Sequence, residues 1–266
     1  MKKFVVNQYD ITSEKIGKGF DKAKIVMLSD LHNNIYGINL EEVYQKILML
    51  RPDFLVIAGD MYNGEAGCDN KNAEKFLTRL SKKFPIYYGL GNHEYRTMIY
   101  PEKYEGMASS FEAMIRRSGI HLLKNESLVI EKNGSTLVIN GLMIDRGYYK
   151  KLKKVPMAPE YMNEIMAAPD SDKFQILIAH HPAYFENYAA WGADLVFSGH
   201  YHGGMARLPL VGGVIAPSFH PFPKYDMGEF KIGNATMILS AGIGTHTIKL
   251  RPFNPPEIVV VTLHSK

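Results

Sequence analysis

This sequence predicts an α/β fold of mixed sheets flanked by helices, and three observations carry that prediction. Short β-branched apolar runs recur and alternate with helical patterns over the first half of the chain. An Asn133-Gly134 pair stands between two apolar runs in the middle, where a hairpin belongs. The C-terminal end is dense in strand patterns: GVIAP, GEFKIGNATMILSAG and EIVVVTL.

In chain order, KIVMLSD (24–30) reads as a buried strand and LEEVYQKILML as a helix with Leu40, Val43, Ile47 and Leu50 on one face. FLVIAGD (54–60) is the next strand, followed by a helix around NAEKFLTRLSKKF. IYYGLGNHE (86–94) is the third, and SSFEAMIRRSG the third helix, with Gly119 as its C-cap. Strands this continuously apolar are buried on both faces, as in parallel βαβ units. After the SLVIEKNGSTLVINGLM hairpin come QILIAHH (175–181), a helical stretch from Tyr184 to Ala190, DLVFSGH, and a turn at Gly233-Asn234. Residues 146 to 170, rich in Lys, Met, Pro and Ala, read as a surface excursion. No repeat or long linker interrupts residues 1–266, so one domain is expected.

Composition sets bounds. With 46% hydrophobic and 22% charged residues, the 266-residue chain is ordinary globular material. Cys68 is the single cysteine, which excludes an internal disulfide or a thiolate metal cage and suits a reducing compartment. The N-terminus, MKKFVVNQYDITSEKI, fits neither a secretory signal nor a membrane span, so a cytoplasmic location is expected. The net charge of +4 is mild, and no arginine-rich stripe points to nucleic acid. Lys150, Lys151, Lys153 and Lys154 form one local cluster, read as a solvated loop, with a phosphate-rich or anionic partner as the alternative.

The chemistry stands at the ends of the apolar runs. Asp30 and His32 follow the first, Gly59 and Asp60 the second, and Gly91, Asn92, His93 and Glu94 the third. His180 and His181 follow the fourth, and Gly199, His200 and His202 the fifth. In open α/β sheets ligands bind where such strand ends converge. Residues two apart in an extended segment point the same way, so Asp30 with His32, and His200 with His202, are each expected to serve one cavity. Glycines 59, 91 and 199 suit tight turns and close backbone approach. Oxygen and imidazole donors without thiolate suit Mn, Fe, Zn or Co. Seven donors exceed one tetrahedral ion and suit two ions about 3.5–4 Å apart.

D-x-H, G-D, G-N-H-E, H and G-H-x-H in this order resemble the motifs of the calcineurin-like metallophosphoesterases, over roughly residues 22 to 204. The tail, from GHYHGGMARLPL to IKLRPFNPPEIVVVTL, is similar to the bacterial subgroup of YkuE-like and UDP-2,3-diacylglucosamine hydrolase-like enzymes. The resemblance implies a four-layer αββα sandwich, with two mixed sheets between helices and a dinuclear metal site at the strand C-terminal ends. It implies Asp30, His32 and His202 on one divalent ion, Asn92, His180 and His200 on the other, and Asp60 bridging. His180 rather than His181 is taken as the ligand because it stands two before Pro182. His93 would contact the phosphate and protonate the leaving oxygen, with Glu94 orienting it or starting a helix. Manganese is the foremost metal. The reaction would be cleavage of a phosphoester or pyrophosphate bond by metal-activated hydroxide.

The substrate expected is a phosphorylated small molecule or a lipid-linked one met at a membrane surface, and nucleic acid is not expected. For the lipid-linked pyrophosphatase alternative, Met98, Ile99, Tyr100 and Met107, or Phe219, Phe222 and Tyr225, would form an apolar cap. A non-catalytic scaffold is the remaining alternative, and retention of His93 weighs against it. Asn33, Asn34, Tyr62, Asn63, Tyr95, Arg96, Tyr201 and Arg207 flank the motifs, with packing the leading role for most and pocket lining the other.

Overall fold

The structure is a computed structural model that describes residues 4–33, 38–150, 154–204, 207–208, 212–213, 222–244, 251 and 253–266. The first sheet uses β1 (Val5–Ser13), β2 (Lys24–Leu28), β3 (Phe54–Ala58), β4 (Ile86–Gly89), β5 (His121–Leu123) and β14 (Glu257–Ser265). Between them run α1 (Leu40–Leu50), α2 (Lys71–Ser81), α3 (Asn92–Ile99) and α4 (Met107–Ser118). The second sheet uses β6 (Glu126–Lys132), β7 (Ser135–Leu142), β8 (Phe174–Ala179), β9 (Leu195–Ser198), β12 (Gly228–Ile232) and β13 (Ala235–Leu239), with α5 (Tyr161–Ile165) and α6 (Phe185–Trp191). A short ribbon pairs β10 (Arg207–Leu208) with β11 (Gly212–Gly213). Strand orders are β1-β14-β2-β3-β4-β5 and β12-β13-β9-β8-β7-β6. Both sheets are mixed: β2 to β5 and β7-β8-β9-β13 run parallel, while β14-β2, β6-β7 and β12-β13 are antiparallel.

Strand alternation builds the layers. In β3, Phe54, Val56 and Ala58 enter the core between the sheets, against Ile176, Ile178 and Phe197. Leu55 and Ile57 point the other way, into the packing of Val43, Ile47, Phe76, Leu77 and Phe111 from the helices. On the far side, Leu177 and Val196 pack outward against Phe185, Tyr188 and Trp191. Helix, sheet, sheet, helix is the four-layer sandwich expected, and the continuous apolar runs are its doubly covered strands.

Local signals hold as well. Asn133 (φ 50°) and Gly134 (φ 74°) make the two-residue link between Lys132 and Ser135, the left-handed pair such a hairpin requires. Gly233 turns β12 into β13. Asn39 caps α1 by accepting from the backbone N–H groups of Glu41 and Glu42, and Gly119 closes α4 in the left-handed region.

Two readings need correction. The stretch 146–170 is not a mere surface excursion, because Met157, Tyr161, Met162 and Met166 are buried against the outer face of the second sheet. Its lysines and prolines masked an apolar set without strand or helix period. Strand β1 was not predicted, since only Ile11 of its nine residues is buried. It is held by parallel pairing along the whole of β14. Of GVIAP, Gly213 is in a strand and 214–217 lie outside the described residues, as do Asn34, Lys151, Lys153 and Phe219. Among the described residues no helix is long and apolar enough to cross a membrane.

Phe197 is fully buried between the sheets. Phe197→Ala should lower unfolding free energy by about 3–5 kcal/mol, read from the urea midpoint at unchanged m.

Candidate metal centre

Five strand ends deliver the donors: β2, β3 and β4 from one sheet, β8 and β9 from the other. Asp30, His32, Asp60, His93, His180 and His202 are all buried. Three groups bring ligand atoms within 4.8 Å of one another: Asp30, His32 and His202; Asp60, His180 and His200; and His32, Asp60 and His93. The last group links the other two.

Backbone geometry rather than strand alternation places these side chains. Asp30 (φ 54°), His32 (51°), Asp60 (54°), His200 (70°) and His202 (51°) all occupy the left-handed region, so the expected extended D-x-H and H-x-H pairs are sharp turns instead. The strain is held by cross-loop hydrogen bonds. Asp30 N–H donates to the Gly59 carbonyl (3.0 Å), His32 N–H to that of Asp60 (2.9 Å), and Gly244 N–H to that of Asp30 (3.0 Å). The His200/His202 pair also divides: His202 Nε2 lies 3.4 Å from Asp30 Oδ1, whereas His200 joins Asp60 and His180. A Cβ on Gly91 would stand 2.1 Å from Asp60 Oδ1, and one on Gly199 2.3 Å from Asp30 Oδ2. Only glycine lets the loops close on the two carboxylates.

Each carboxylate has backbone support. Asp60 Oδ1 accepts from the His93 N–H at the start of α3 (2.8 Å), and Asp30 accepts from the His200 N–H (3.0 and 3.1 Å). Burial pushes the Asp30 carboxyl up, to about 7, with Asp60 adding to the rise against the pull of His180. Burial also acts to raise Asp60, but His180 and His93 outweigh it and hold that carboxyl well below the usual range. Burial disfavours a charged His180, yet Asp60 and Asp30 raise it to about 9. His200 is held well below the ordinary histidine value by burial and by His181 and His180.

The donor set fits a cation. His180 Nδ1 donates to the Ala58 carbonyl (2.6 Å), which turns Nε2 toward Asp60 Oδ2 at 3.1 Å. Two acceptors at that distance need a positive charge between them, either a proton or a metal ion. The Nε2 atoms of His32 and His202 stand 3.0 Å apart beside Asp30. The Asn92 amide oxygen is buried with no hydrogen-bond partner among the described residues. His181 is elsewhere: its Nδ1 accepts from the Ala183 N–H (3.2 Å) and caps the turn that follows.

Several expectations on neighbours change. Glu94 does not reach the His93 ring. It accepts from the backbone N–H groups of Asp60 (3.0 Å), Tyr62 (3.0 Å) and Gly91 (3.2 Å) and from the Tyr88 hydroxyl (2.7 Å), tying the Asp60 loop to the helix start. The His93 ring is set by the Gly64 N–H (3.0 Å) and the Arg96 guanidinium (2.8 Å), both at Nδ1. Both can only donate, so His93 Nδ1 accepts and the ring proton sits on Nε2, 4.0 Å from Asp60 Oδ2. Asn33 caps α2 through the N–H groups of Asn72 and Ala73, Tyr62 is core, and Arg207 pairs with Asp226 at 2.8 Å. The Asn63 N–H donates to Asn70, and Tyr95 is half-buried.

Sequence reading missed two supports. Tyr149 stands edge-on to His200 at 5.3 Å between ring centroids, from the segment taken as an excursion. Arg251, Asn254 and Glu257 in RPFNPPE form a buried brace: Asn254 Nδ2 donates to the His202 carbonyl (2.5 Å) and the Gly204 carbonyl (3.1 Å). Arg251 donates to the carbonyls of Ala241, Gly242 and Gly244, and Glu257 accepts from the Ala241 N–H. Polar residues this near a buried strand were the available signal.

Comparison with known proteins agrees with this geometry. The calcineurin-like phosphoesterase family matches residues 23–204. The chain is 30% identical over 249 residues to the uncharacterized metallophosphoesterase Cj0846 of Campylobacter jejuni, covering 91% of this chain but only 59% of that protein. It is 28% identical over 266 residues to the uncharacterized metallophosphoesterase YkuE of Bacillus subtilis, covering 97% and 85%. It is 21% identical over 285 residues to the UDP-2,3-diacylglucosamine pyrophosphatase LpxG of Chlamydia muridarum, covering 90% and 82%.

Removing the brace should loosen the His202 turn without touching a donor. Asn254→Ala should weaken divalent-metal binding by about 10–100-fold in calorimetry, at retained secondary structure.

Proposed function

The chain belongs to the calcineurin-like phosphoesterase family, metal-dependent hydrolases of phosphoester bonds, and from that premise we propose that it works through two divalent cations. Asp30, His32 and His202 would hold one, Asn92, His180 and His200 the other, with Asp60 shared. The observation that carries this is the pair of three-donor groups linked through Asp60 and His32. The oxygen and imidazole donors suit Mn, Fe, Zn or Co, and manganese is the ion carried forward for the tests. Bound there, the cations supply Lewis acidity that offsets phosphoryl charge and brings the pKa of water toward neutrality.

The chain's own groups do the rest. Asp60 keeps its charge against burial chiefly because His180 faces one oxygen at 3.1 Å, while the His93 N–H holds the other. Glu94 fixes the loop that carries it. His93 points its Nε2 proton into the same space, and Arg96 and Gly64 occupy Nδ1. A ring held this way donates a hydrogen bond to a phosphoryl or leaving oxygen, which supports the contact with the phosphate and the protonation of the leaving oxygen expected of His93. The substrate is a phosphorylated small molecule in a cytoplasmic setting.

A second reading, a lipid-linked pyrophosphatase at a membrane surface, has the LpxG likeness and two exposed aromatics in its favour. Phe222 and Phe253 are 63% and 75% exposed, and Phe253 adjoins the Asn254 brace. Tyr225, by contrast, is packed among Phe185 and Phe230. Activity that requires detergent or vesicles would select this reading.

Asp60→Asn should cut manganese-dependent phosphoester turnover by at least about a hundredfold, and chelator should abolish it in the native chain. Turnover close to native with metal still bound would overturn the assignment. Arg96→Met removes one of the two partners that hold His93 Nδ1 and should lower kcat about tenfold with KM little changed.

A further inference from the structure

On the His181 and His200 side of the metal-ligand groups lies a cavity of about 220 Å³ that the chemistry above leaves unused. Its wall is aromatic, with Tyr148, Tyr201 and Phe222 beside His181. The His181 ring joins this cavity to the ligand groups: it lines the cavity, stands 4.6 Å from the His200 ring and 5.6 Å from Tyr201, and His200 and Tyr201 are themselves 5.7 Å apart. The rim carries Lys150 and Lys154, two of the four clustered lysines that sequence reading took as a solvated loop. The third rim lysine, Lys224, is already held by Glu186 at 2.5 Å, whereas the ion pairs among the described residues include neither Lys150 nor Lys154.

A phosphoester with its phosphorus beside His200 would extend its organic part past His181 into this space. Flat aromatic walls favour a planar ring by stacking, and ammonium groups at the rim favour an anion. The volume admits one ring system and is small beside the several hundred Å³ that larger organic ligands occupy. We infer that this cavity binds the organic portion of the substrate, a planar unsaturated ring accompanied by a second anionic group. The inference rests on the phosphoester reading, since it takes the scissile phosphoryl group to sit at the histidines.

Calorimetry on the full chain in chelator, where turnover is silent, separates the two. The probes are adenosine 3′,5′-bisphosphate, adenosine 5′-monophosphate and glycerol 3-phosphate. The bisphosphate should bind about tenfold more tightly than the monophosphate, and Lys150→Gln with Lys154→Gln should erase that margin. Phe222→Ala, at an exposed side chain, should weaken both nucleotides about fivefold and leave glycerol 3-phosphate unmoved. With manganese, the lysine variant should raise KM for the bisphosphate at unchanged kcat. Equal affinities for all three probes, or variants without effect, would overturn the inference while phosphate release from any of them left the phosphoester reading standing. Binding as expected with no release under manganese would overturn that reading instead. Tighter binding of a detergent-dispersed acyl phosphate than of either nucleotide would also overturn the inference, in favour of a lipid subsite.

Discussion

Two carboxylates buried in one small space are the constraint on which this structure depends. Asp30 and Asp60 are almost fully enclosed, and each raises the cost of ionising the other. Charge of that kind is tolerated only with compensation, and the chain surrounds the pair with imidazoles and backbone N–H groups. The compensation is unequal. Asp60 has the helix start, His180 and His93 and stays ionised, whereas Asp30 is pushed up to about 7. A site organised this way favours positive charge, which is why donor chemistry and family membership point the same way.

The backbone has been bent to meet that constraint. Left-handed turns at Asp30, His32, Asp60, His200 and His202 would each be costly alone. They persist because the loops bond to one another and because the sandwich below them holds five strand ends in register. The buried Arg251, Asn254 and Glu257 brace secures the His202 turn and the chain from Ala241 to Gly244. Packing in the core therefore contributes to function by removing alternatives for the loops above it.

Much of this was legible in the sequence. The doubly buried strands announce themselves as continuous apolar runs, and the donors follow them directly, so residue identity at 30, 60, 92, 180 and 200 carried the site. Asn133-Gly134 gave its hairpin by local conformational preference alone. What was not legible depends on tertiary contact. Strand β1 has a weak apolar pattern and exists through pairing with β14. Met157, Tyr161, Met162 and Met166 are buried without a period to betray them. The spacing argument for D-x-H expected Asp30 and His32 at one cavity, where the structure groups them, but through the wrong geometry, because motif spacing cannot distinguish an extended pair from two left-handed turns. Glu94 takes the helix-start role of its two expected ones, and Arg96, expected only to pack or line the pocket, reaches the His93 ring: sequence proximity does not say which side chain does so.

The same division separates reaction from selectivity. The donor groups draw on both sheets, and moving any one strand would disturb several ligands at once, so that part of the molecule is fixed by the fold. The cavity beside His181 is built differently. Tyr148, Lys150 and Lys154 come from the segment after β7, and Phe222 from the approach to β12, none of them on a strand. Segments of that kind can change length and composition without unsettling the strand ends. Chemistry common to the family is therefore written in regular, readable patterns, while the substrate choice we infer rests on irregular chain whose place near His200 shows only through the His181 ring beside it.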